Sequence, residues 1–257
     1  MSYNPFSLSG KTILVTGASS GIGRATAIEC SRLGATLIIT GRNEERLNDT
    51  FQQLEGQNHN QIIADFSKTE VIPEFIEKLP LLDGCVNNAG IVKTLLIQFI
   101  TEEIFDGLMK VNTYAPILLT QLLLKKKKFQ KNASIVFTSS VSGVFVGASA
   151  NSMYSASKGA ISGFAKSAAM ELAPKKIRVN TVCAGMINTR LLDEGIISPQ
   201  QLEEDLQFYP LKRYGQPEDV AFAIIYLLSD ASSWVTGTNL LISSGVSLAS
   251  SFSNTSP

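Results

Sequence analysis

Histidine is almost missing from this sequence of 257 residues, since His59 in the polar stretch EGQNHNQ is the only one. A catalytic triad built on histidine and a histidine-rich metal site are therefore not expected. Cys30, Cys85 and Cys183 lie far apart and follow no metal-binding spacing. That usage is typical of reduced, buried thiols in a cytoplasmic protein, so we predict neither disulfides nor a bound metal ion.

The sequence also lacks net charge, long apolar runs and a leader-like start. Basic and acidic residues both number 22, which gives no reason to expect a nucleic acid or an anionic membrane as partner. The start MSYNPFSLSGK has no cationic segment followed by an apolar one, as a signal peptide would. The most apolar run, APILLTQLLL, is too short and too interrupted to span a bilayer. A cytoplasmic protein without membrane association is predicted.

Short apolar runs alternate with helical patterns along the whole chain, without a linker, a repeat or a domain boundary. Predicted helices cover about 22–33, 101–124 and 153–173, and predicted strands cover 12–16, 36–40, 61–65, 84–87, 134–139, 178–183 and 239–243. Continuous Val/Ile/Leu strands separated by helices are typical of a parallel sheet that is covered on both faces. Residues 1–257 are therefore predicted to form one α/β domain with a doubly wound parallel sheet, a Rossmann fold.

The least regular stretch is 186–216, which lies between the sixth strand and the last helix. This is the carboxyl end of the sheet, where ligands bind in this architecture, so we predict a mobile substrate lid. An ordinary pair of surface helices is the alternative. Four apolar residues there suggest a partly apolar pocket, although core packing explains them nearly as well: Met186, Leu191, Leu192 and Phe208. The polar tail at about 250–257 is predicted to be frayed.

A glycine-rich loop, TGASSGIGR at 16–24, connects the first strand to the first helix. Gly17, Gly21 and Gly23 permit a tight turn and let backbone N–H groups approach a pyrophosphate, and the helix N-terminus adds favourable partial charge. A glycine triplet alone is weak evidence, but this one stands in the required strand–turn–helix context. The loop predicts a dinucleotide site.

The end of the second strand indicates which dinucleotide is bound. A site for NAD usually places an acidic residue there for the ribose 2′-hydroxyl, but Gly41 occupies the place and Arg42 follows. An arginine fork suits a 2′-phosphate, so NADP(H) is predicted over NAD(H). The alternative is that Arg42 merely opens the next helix with its side chain in water.

Polar residues also end the third and fourth strands. The Asp65 carboxylate can accept from the adenine amino group, or it can cap the turn before SKTE. In NNAG at 87–90 the asparagine amides can tie neighbouring loops together, and Gly90 allows the cofactor to approach.

The run MYSASKGA places Tyr154 four residues before Lys158. Residues four apart share one face of a helix, so both can point into one cleft. A free phenol titrates at about pH 10, and efficient proton exchange near neutrality requires a pKa lower by roughly 3, equivalent to about 4 kcal/mol. A nearby ammonium favours the phenolate. The small residues between the pair, Ser155, Ala156 and Ser157, would leave room for the cofactor.

From about Leu8 to Leu248 the chain resembles the short-chain dehydrogenase/reductase family. The motifs that carry the resemblance are the TGxxxGxG loop, Asp65, NNAG, Asn112 in KVN, TSSVSG at 138–143, YSASKGA, RVNTVCAGMINT at 178–189, PEDVA at 217–221 and WVTG at 234–237. Two positions depart from the family pattern: Ala184-Gly185 stands where Pro-Gly is usual, and Ser243-Ser244-Gly245 where Asp-Gly-Gly is frequent.

The resemblance implies roles for matching residues. Ser140 would hydrogen-bond the substrate carbonyl and Tyr154 would be the acid or base. Lys158 would orient the ribose and lower the tyrosine pKa, and Asn112 would hold a water molecule in a proton relay. Ser139 and Ser140 could instead satisfy local backbone, and Asn112 could make a purely structural bond. The expected cofactor contacts are Gly17, Ser19, Ser20, Gly21, Ile22, Gly23, Arg42, Asp65, Phe66, Asn88, Ala89, Gly90, Tyr154, Lys158, Gly185, Ile187 and Thr189.

The resemblance also implies a homo-oligomer, either a dimer or a tetramer. The helix from 153 carries Gly159, Gly163 and Ser167 at intervals of four, a groove that suits either subunit contact or packing within one subunit. The basic run Lys125–Lys128 with Lys131 is either a solvated helix end or a surface for an acidic carrier protein.

The leading hypothesis is an NADPH-dependent carbonyl reductase, similar in look to 3-oxoacyl-(acyl carrier protein) reductases. Those reductases often have arginine just before the Glu of ELAP, where Met170 stands here. A reductase acting on a sugar, polyol, steroid or other small carbonyl is the alternative, because a fold does not choose a substrate. A non-catalytic NADP(H) sensor would tend to lose the tyrosine or the lysine, and a sugar-nucleotide epimerase or dehydratase would need a larger C-terminal domain.

Overall fold

Seven strands form one fully parallel sheet in a computed structural model, which describes residues 3–189, 204, 206–207 and 209–245. The strands are β1 (Thr12–Thr16), β2 (Thr36–Gly41), β3 (Asn60–Ile63), β4 (Leu82–Asn87), β5 (Phe129–Ser140), β6 (Arg178–Ala184) and β7 (Asn239–Ile242). All seven predicted strands are confirmed, with bounds that differ by a few residues at their ends. The doubly wound α/β fold is therefore as predicted.

The strand order is β3-β2-β1-β4-β5-β6-β7. The chain moves outward from β1 to β3, then crosses back to β4 on the other side of β1 and continues to β7. At such a reversal the loops after the two central strands part and leave a crevice at the carboxyl edge of the sheet. The loops after β1 and β4 both open at this point.

Seven α-helices connect the strands. They are α1 (Gly21–Arg32), α2 (Glu44–Phe51), α3 (Ile72–Glu77), α4 (Glu102–Met109), α5 (Ala115–Lys125), α6 (Ser152–Leu172) and α7 (Pro217–Leu228) among the described residues. Short 3₁₀ segments lie at Thr69–Val71, Ile97–Phe99, Ala173–Lys175 and Asp230–Ser232. The predicted helix at 101–124 is divided, because a π-helical turn at Lys110–Tyr114 separates α4 from α5.

The core lies on both faces of the sheet, as a parallel sheet requires. One layer joins β1 and β2 to α1 and α7 through side chains such as Val15, Ile39 and Ile224. The opposite layer joins the sheet to α3 and α5, for example at Phe75 and Leu119, and a third cluster holds α6 against β5 and β6. Helix α6 is thereby fixed to the two strands that end beside it.

The side chain of His59 forms hydrogen bonds near the edge of the sheet. Its Nδ1 accepts a hydrogen bond from the backbone N–H of Leu37 at 3.0 Å, and Nε2 lies 3.0 Å from the carbonyl oxygen of Glu55. The ring therefore links the start of β2 to the segment that follows α2. The three cysteines are free and buried.

The predicted lid at 186–216 falls only partly within the described residues. Leu191, Leu192 and Phe208 lie outside them, as does the tail at 250–257. The ends of the stretch pair with each other, since Asn188 N–H donates to Gly215 O at 2.7 Å and Gly215 N–H donates to Met186 O at 3.0 Å. Within the described chain, no helix combines the length and the apolar character needed to cross a membrane.

Candidate active site

The loop between β1 and α1 is packed so closely that its glycines have no room for side chains. Gly17 and Gly21 have φ values of 68° and 53°, in the left-handed region. A Cβ on Gly17 would lie 2.8 Å from Cα of Ala89, and one on Gly23 would lie 2.3 Å from the Gly17 carbonyl oxygen. Glycine is thus required here by the packing of the protein itself, in addition to any approach of a phosphate.

The N-terminus of α1 leaves polar groups available at this loop. Ser20 is the N-cap residue, has extended backbone and makes no side-chain capping hydrogen bond. The first N–H groups of an α-helix have no acceptor within the helix. Together with the partial positive charge of the helix end, they form a cradle that fits a pyrophosphate.

Asn88 ties the loop after β4 to the neighbouring strands, as predicted for the NNAG segment. Its Nδ2 donates to the carbonyl oxygens of Thr16 at 3.2 Å and Gly17 at 3.3 Å, and its Oδ1 accepts from Thr138 Oγ1 at 3.1 Å. The backbone N–H groups of Asn88 and Ala89 both donate to Thr16 Oγ1 at 3.0 Å. One side chain therefore connects the ends of β1, β4 and β5.

A side chain at the end of β2 would crowd Ser19. Gly41 is buried, and a Cβ there would lie 3.2 Å from both Cβ and Oγ of Ser19. Arg42 follows and is exposed, and among the described residues no carboxylate lies within ion-pair distance of its guanidinium group. The guanidinium group is thus available to an anion at the outer side of the loop.

Asp65 takes the capping position that was the alternative to an adenine contact. Its Oδ1 accepts the backbone N–H of Ser67 at 3.0 Å. Partial burial acts to raise the pKa of Asp65, but the hydrogen bonds from Ser67 and the positive charges of Arg42 and Lys68 outweigh it and hold the pKa below its usual value. The carboxylate is charged near neutral pH.

The side chain of Phe66 lies in the core and does not face the crevice. The ring is 7% exposed and packs edge-to-face on Phe75, with 5.2 Å between ring centres. Only its backbone can face the crevice. The expected contact at Phe66 is therefore limited to main-chain atoms.

Tyr154 and Lys158 share one face of α6, as the spacing predicts. The Lys158 ammonium lies 5.7 Å from the centre of the Tyr154 ring, and Nζ donates to the Thr138 carbonyl oxygen at 2.8 Å. Lys158 is 5% exposed. Burial lowers its pKa from 10.5 to about 8, and the electrostatic interaction with Cys183 acts in the opposite direction.

The pKa of Tyr154 departs from the expected direction. Burial raises it above 10.0, and the hydrogen bond with Ser140 only partly opposes that effect. Desolvation disfavours the phenolate more than the protein's own groups favour it. The lowered pKa that acid–base chemistry needs must therefore come from positive charge added to the site.

Ser140 lies beside Tyr154, whereas Ser139 points away. Ser140 Oγ accepts the backbone N–H of Ser142 at 3.1 Å and contributes the hydrogen bond that lowers the tyrosine pKa. Ser139 Oγ donates to the Lys158 carbonyl oxygen at 3.1 Å and lies 2.9 Å from Ser162 Oγ, within the packing of α6 on the sheet. The geometry agrees with the choice of Ser140 as the substrate-facing hydroxyl.

The loop after Ser140 contains a glycine whose importance was not recognised from the sequence. Gly143 has a φ of 81°, and a Cβ there would lie 2.0 Å from the Ser155 carbonyl oxygen. The loop thus lies directly on α6 next to Tyr154. Asn151 Nδ2 donates to Ser142 Oγ at 3.2 Å and closes the same loop.

Asn112 is 2% exposed, and its side chain makes the structural bonds that were the alternative to a relay role. Its Oδ1 accepts the N–H of Ile91 at 2.8 Å, and its Nδ2 donates to the Ile91 carbonyl oxygen at 2.9 Å and to Ser157 Oγ at 3.1 Å. The small side chain of Ser157 was expected to leave room for the cofactor. It is instead fully buried against the π-helical turn.

The segment after β6 returns to the glycine loop. The N–H of Gly185 donates to Ile242 O at 2.8 Å, and Ile187 is buried. A Cβ on Gly21 would lie 3.2 Å from Cγ2 of Thr189, so Thr189 stands beside the phosphate cradle. The structure thus brings Gly185, Ile187 and Thr189 to the same edge as the other predicted contacts.

The basic run is largely a helix end. Lys126 forms an ion pair with Glu77 at 2.7 Å, and Lys128 Nζ donates to the Leu79 carbonyl oxygen. Lys125, Lys127 and Lys131 are exposed. Three lysines therefore remain at the surface for an acidic partner.

Known proteins are similar in sequence to this chain along nearly its whole length. A family model described as enoyl-(acyl carrier protein) reductase matches residues 17–247. The 3-oxoacyl-[acyl-carrier-protein] reductase FabG of Thermotoga maritima is 36% identical over 245 residues, 93% of this chain and 98% of that protein. Dehydrogenase/reductase SDR family member 6 of Rattus norvegicus is 35% identical over 246 residues, 94% of this chain and 99% of that protein. The chain belongs to the short-chain dehydrogenase/reductase family.

A solved structure shows the same fold. The crystal structure of gox2181 superposes with a TM-score of 0.87 at 26% identity, and covers 95% of this chain and 98% of that chain. Membership in the short-chain dehydrogenase/reductase family supports an oxidoreductase that acts on a C=O or CH–OH group. Family membership does not select the substrate.

Proposed function

We propose that this protein is an NADPH-dependent reductase that converts a ketone to a secondary alcohol in a reversible reaction. The observation that carries the proposal is the convergence of Ser140, Tyr154 and Lys158 beside the cradle of the glycine loop. A regulator that only binds the cofactor would have no need of all three groups. NADP(H), when bound, would supply the hydride and the positive charge of its oxidised ring.

The residues present fit such a cofactor. Backbone N–H groups at the start of α1 and the Ser20 hydroxyl would hold the pyrophosphate, and Arg42 would bind the 2′-phosphate. Asn88–Gly90 would line the crevice, and Lys158 would donate to the ribose. A Cβ on Gly90 would lie 3.5 Å from Lys158 Nζ, so the lysine borders the crevice directly.

The proton chemistry belongs to the protein. Tyr154 Oη and Ser140 Oγ would both donate hydrogen bonds to the substrate carbonyl oxygen. As the carbonyl carbon receives the hydride, the Tyr154 proton moves to that oxygen and the alcohol forms. The phenolate regains a proton from water by way of Lys158 and a water molecule held at Asn112. In the reverse direction Tyr154 takes the alcohol proton.

The finer proposal is a 3-oxoacyl substrate carried by acyl carrier protein. The relative from Thermotoga maritima bears that activity in its name. Lys125, Lys127 and Lys131 are exposed and could contact an acidic carrier, but Met170 is 79% exposed where such reductases often have arginine. A free carbonyl substrate, such as a sugar, polyol or steroid, is therefore the alternative.

An apolar wall next to the catalytic helix suits either kind of substrate with a hydrocarbon portion. A cavity of about 480 Å³ lies at the start of α6 and is bordered by Leu96, Ile97 and Ala148 together with Ser152. Ser152 precedes Tyr154 by two residues.

An enoyl reductase is the second candidate, because the matching family model bears that description. Reduction of a C=C bond places the hydride away from the carbonyl. Ser140 and Tyr154 lie together and would both donate hydrogen bonds to one oxygen. This arrangement favours reduction of a ketone over reduction of a C=C bond.

The decisive experiment measures NADPH oxidation with acetoacetyl-carrier protein, acetoacetyl-CoA, crotonyl-CoA, a keto-sugar, a ketosteroid and a simple diketone, with NADH in parallel. Preference for the carrier-linked ketone supports the 3-oxoacyl proposal. Turnover of a free carbonyl alone moves the assignment to another metabolite. Turnover of crotonyl-CoA alone supports the enoyl reductase, and cofactor binding without any turnover supports the sensor.

A further inference from the structure

The loop that leads from β5 into α6 ends in a turn with a strained residue. The backbone N–H of Asn151 donates to the Ala148 carbonyl oxygen at 3.3 Å and closes a turn of four residues. Ala150 stands at the third position of this turn with a φ of 59°. Glycine or asparagine is preferred at such a position, because other side chains are crowded by the backbone in the left-handed region. Alanine is therefore strained here in a way that glycine would not be.

The turn also joins two loops at the carboxyl edge of the sheet. The carbonyl oxygen of Ala150 accepts the backbone N–H of Leu95 at 2.7 Å. Leu95 belongs to the loop that leaves β4, whereas Ala150 belongs to the loop that leaves β5. The strained residue is thus the point at which one loop is hydrogen-bonded to the other.

The cavity of about 480 Å³ lies between these two loops, and Ala150 is part of its wall. Leu96 and Ile97 border it from the loop after β4, and Ser152 borders it from the start of α6. Ligand pockets commonly have volumes of about 300–1,000 Å³ and a mostly apolar lining. Since Ser152 precedes Tyr154 by two residues, the cavity lies within one helical turn of the proposed acid.

The side chain at position 150 accounts for what the strain retains. Backbone strain of this kind persists where the surrounding structure imposes it, and it concentrates at binding and active sites. Glycine at position 150 would keep the turn and the hydrogen bond to Leu95 without strain. It would, however, remove a methyl group from the wall of the cavity. What alanine adds over glycine is therefore apolar surface beside the cavity.

We propose that Ala150 is a specificity-determining residue, whose methyl group and left-handed turn shape the cavity for an alkyl substituent on the ketone carbon of the substrate. The inference rests on the proposed reductase function and gives it a substrate class, ketones with an alkyl chain. Ala150 takes no part in the transfer of the hydride or the proton.

The test is a series of 3-oxo esters, from ethyl 3-oxobutanoate to ethyl 3-oxooctanoate, with the wild type and two variants. Each methylene group that enters the cavity of the wild type should raise kcat/KM about fourfold. Ala150→Gly keeps the turn and removes one methyl contact. The value of kcat/KM for the longest ester should therefore fall about fourfold in this variant, and that for the shortest ester should change little.

Ala150→Asn places a polar side chain in the cavity, while asparagine still tolerates the left-handed region. We expect the rise of kcat/KM with chain length to be lost in this variant, with the KM for NADPH as in the wild type. Hydrogen exchange of the Leu95 amide examines the turn independently of activity. This amide should exchange slowly in both variants, because both keep its hydrogen bond to residue 150.

Lys176→Gly and Lys176→Asn are the matched controls. Lys176 has a φ of 60°, is exposed and follows the 3₁₀ segment Ala173–Lys175 just before β6, at the opposite edge of the sheet. These variants relieve the same kind of backbone strain without a contact to the cavity. They should leave the dependence of kcat/KM on chain length as in the wild type.

Loss of the chain-length dependence in Ala150→Asn, with a slowly exchanging Leu95 amide, supports the inference. A wild type whose kcat/KM does not rise with chain length overturns it, and so does an Ala150→Asn variant with the wild-type profile. A lost dependence with fast exchange of the Leu95 amide in both variants also overturns it, because the loops have then separated.

A wild type that reduces none of the esters overturns the proposed function. Titration calorimetry of ethyl 3-oxooctanoate into the protein with NADP⁺ then decides the role of Ala150 separately. Binding that Ala150→Asn abolishes supports that role. Equal binding by the two proteins, or binding by neither, overturns it.

Discussion

The phenol of Tyr154 is the residue on which the proposed chemistry depends, and its surroundings oppose its ionisation. Burial raises its pKa, and the hydrogen bond with Ser140 recovers only part of that change. Lys158 is itself buried, with a pKa lowered to about 8. A site of this kind holds its proton until positive charge arrives, which couples proton release to the bound state of the site.

Tyr154→Phe removes the proton donor and keeps the ring. We expect a kcat lower by about 10²–10⁴, the range for loss of a general acid or base, with little change in NADPH affinity. Steady-state kinetics and a fluorescence titration of NADPH measure the two effects. Wild-type turnover in this variant would refute the role of Tyr154.

Arg42 is expected to discriminate between the two nicotinamide dinucleotides. A charge-assisted hydrogen bond contributes about 1.5–3 kcal/mol, so Arg42→Ala should raise the KM for NADPH about 10- to 100-fold and change that for NADH little. The KM values for NADPH and NADH are measured on the same preparation of the variant and of the wild type. Equal increases for the two cofactors would show that Arg42 does not contact the 2′-phosphate.

The elements that meet at the site are held by close backbone contacts. The loop that leaves β5 lies on α6 at Gly143, and the loop after β1 lies on the β4 loop at Gly17. One contact joins the loop after β5 to the start of α6, and the other joins the loops that follow β1 and β4. The position of Ser140 relative to Tyr154 thus depends on the fit of a loop on a helix.

Gly143→Ala tests that fit. The added Cβ would overlap the Ser155 carbonyl oxygen at 2.0 Å. Alanine would also have to adopt a φ of 81°, in the left-handed region that is strained for any residue with a side chain. We expect a loss of roughly 2–4 kcal/mol in the free energy of unfolding and a lower kcat, because overpacking and left-handed strain add. Urea unfolding and kinetics measure both effects.

The matched control for Gly143 is Gly147→Ala in the same loop. A Cβ at Gly147 meets nothing within 4 Å, and its φ is not positive. This variant should behave as the wild type. Equal behaviour of the two variants would show that the contact on α6 does not position Ser140.

At the scale of the whole molecule, burial of Lys158 couples stability to pH. The folded-state pKa of about 8 lies below the ordinary 10.5, so the unfolded chain binds more protons between these values. Stability from this group therefore increases as pH rises through that window. Below pH 8 the buried ammonium group lowers stability.

The comparison of wild type with Lys158→Met isolates this contribution. Between pH 8 and 9.5 the free energy of unfolding of the wild type should rise by about 2 kcal/mol relative to the variant. Urea unfolding of the cofactor-free protein at several pH values measures it. Parallel pH dependences would contradict a lowered pKa at Lys158.

We expect partner subunits to cover some of the large apolar side chains at the surface. Trp234 is 98% exposed, Met170 79%, Phe222 55% and Tyr114 54%. Exposed apolar surface of this kind often forms contacts between proteins. Along α6, Gly159 packs within the subunit, because a Cβ there would lie 3.1 Å from Gly143 O, whereas Gly163 faces open space.

Light scattering coupled to gel filtration should show a dimer or tetramer. Gly163→Arg should dissociate the contact through α6, because a long charged side chain would stand in a closely packed symmetric interface. Asp49→Arg on the exposed side of α2 is the control and should leave the mass unchanged. A monomeric wild type would refute the oligomer.

Much of the fold could be predicted because a parallel sheet buries its strands on both faces, so each strand appears as a continuous apolar run. The runs at 12–16 and 178–183 are examples. The helices α2 and α3 were not predicted, because both are short and α2 stands in largely polar sequence. The division of 101–124 was also missed, although Pro116 stands at the break.

The motifs predicted the family and the proposed reactive groups, since glycine spacing and the four-residue step from Tyr154 to Lys158 are local properties of the chain. Other properties depend on distances between residues far apart in sequence. The raised pKa of Tyr154 follows from burial, the fixed amide of Asn112 follows from Ile91 and Ser157, and the need for Gly143 follows from α6. Only the tertiary structure brings these groups together, because desolvation and close contact arise when the elements pack.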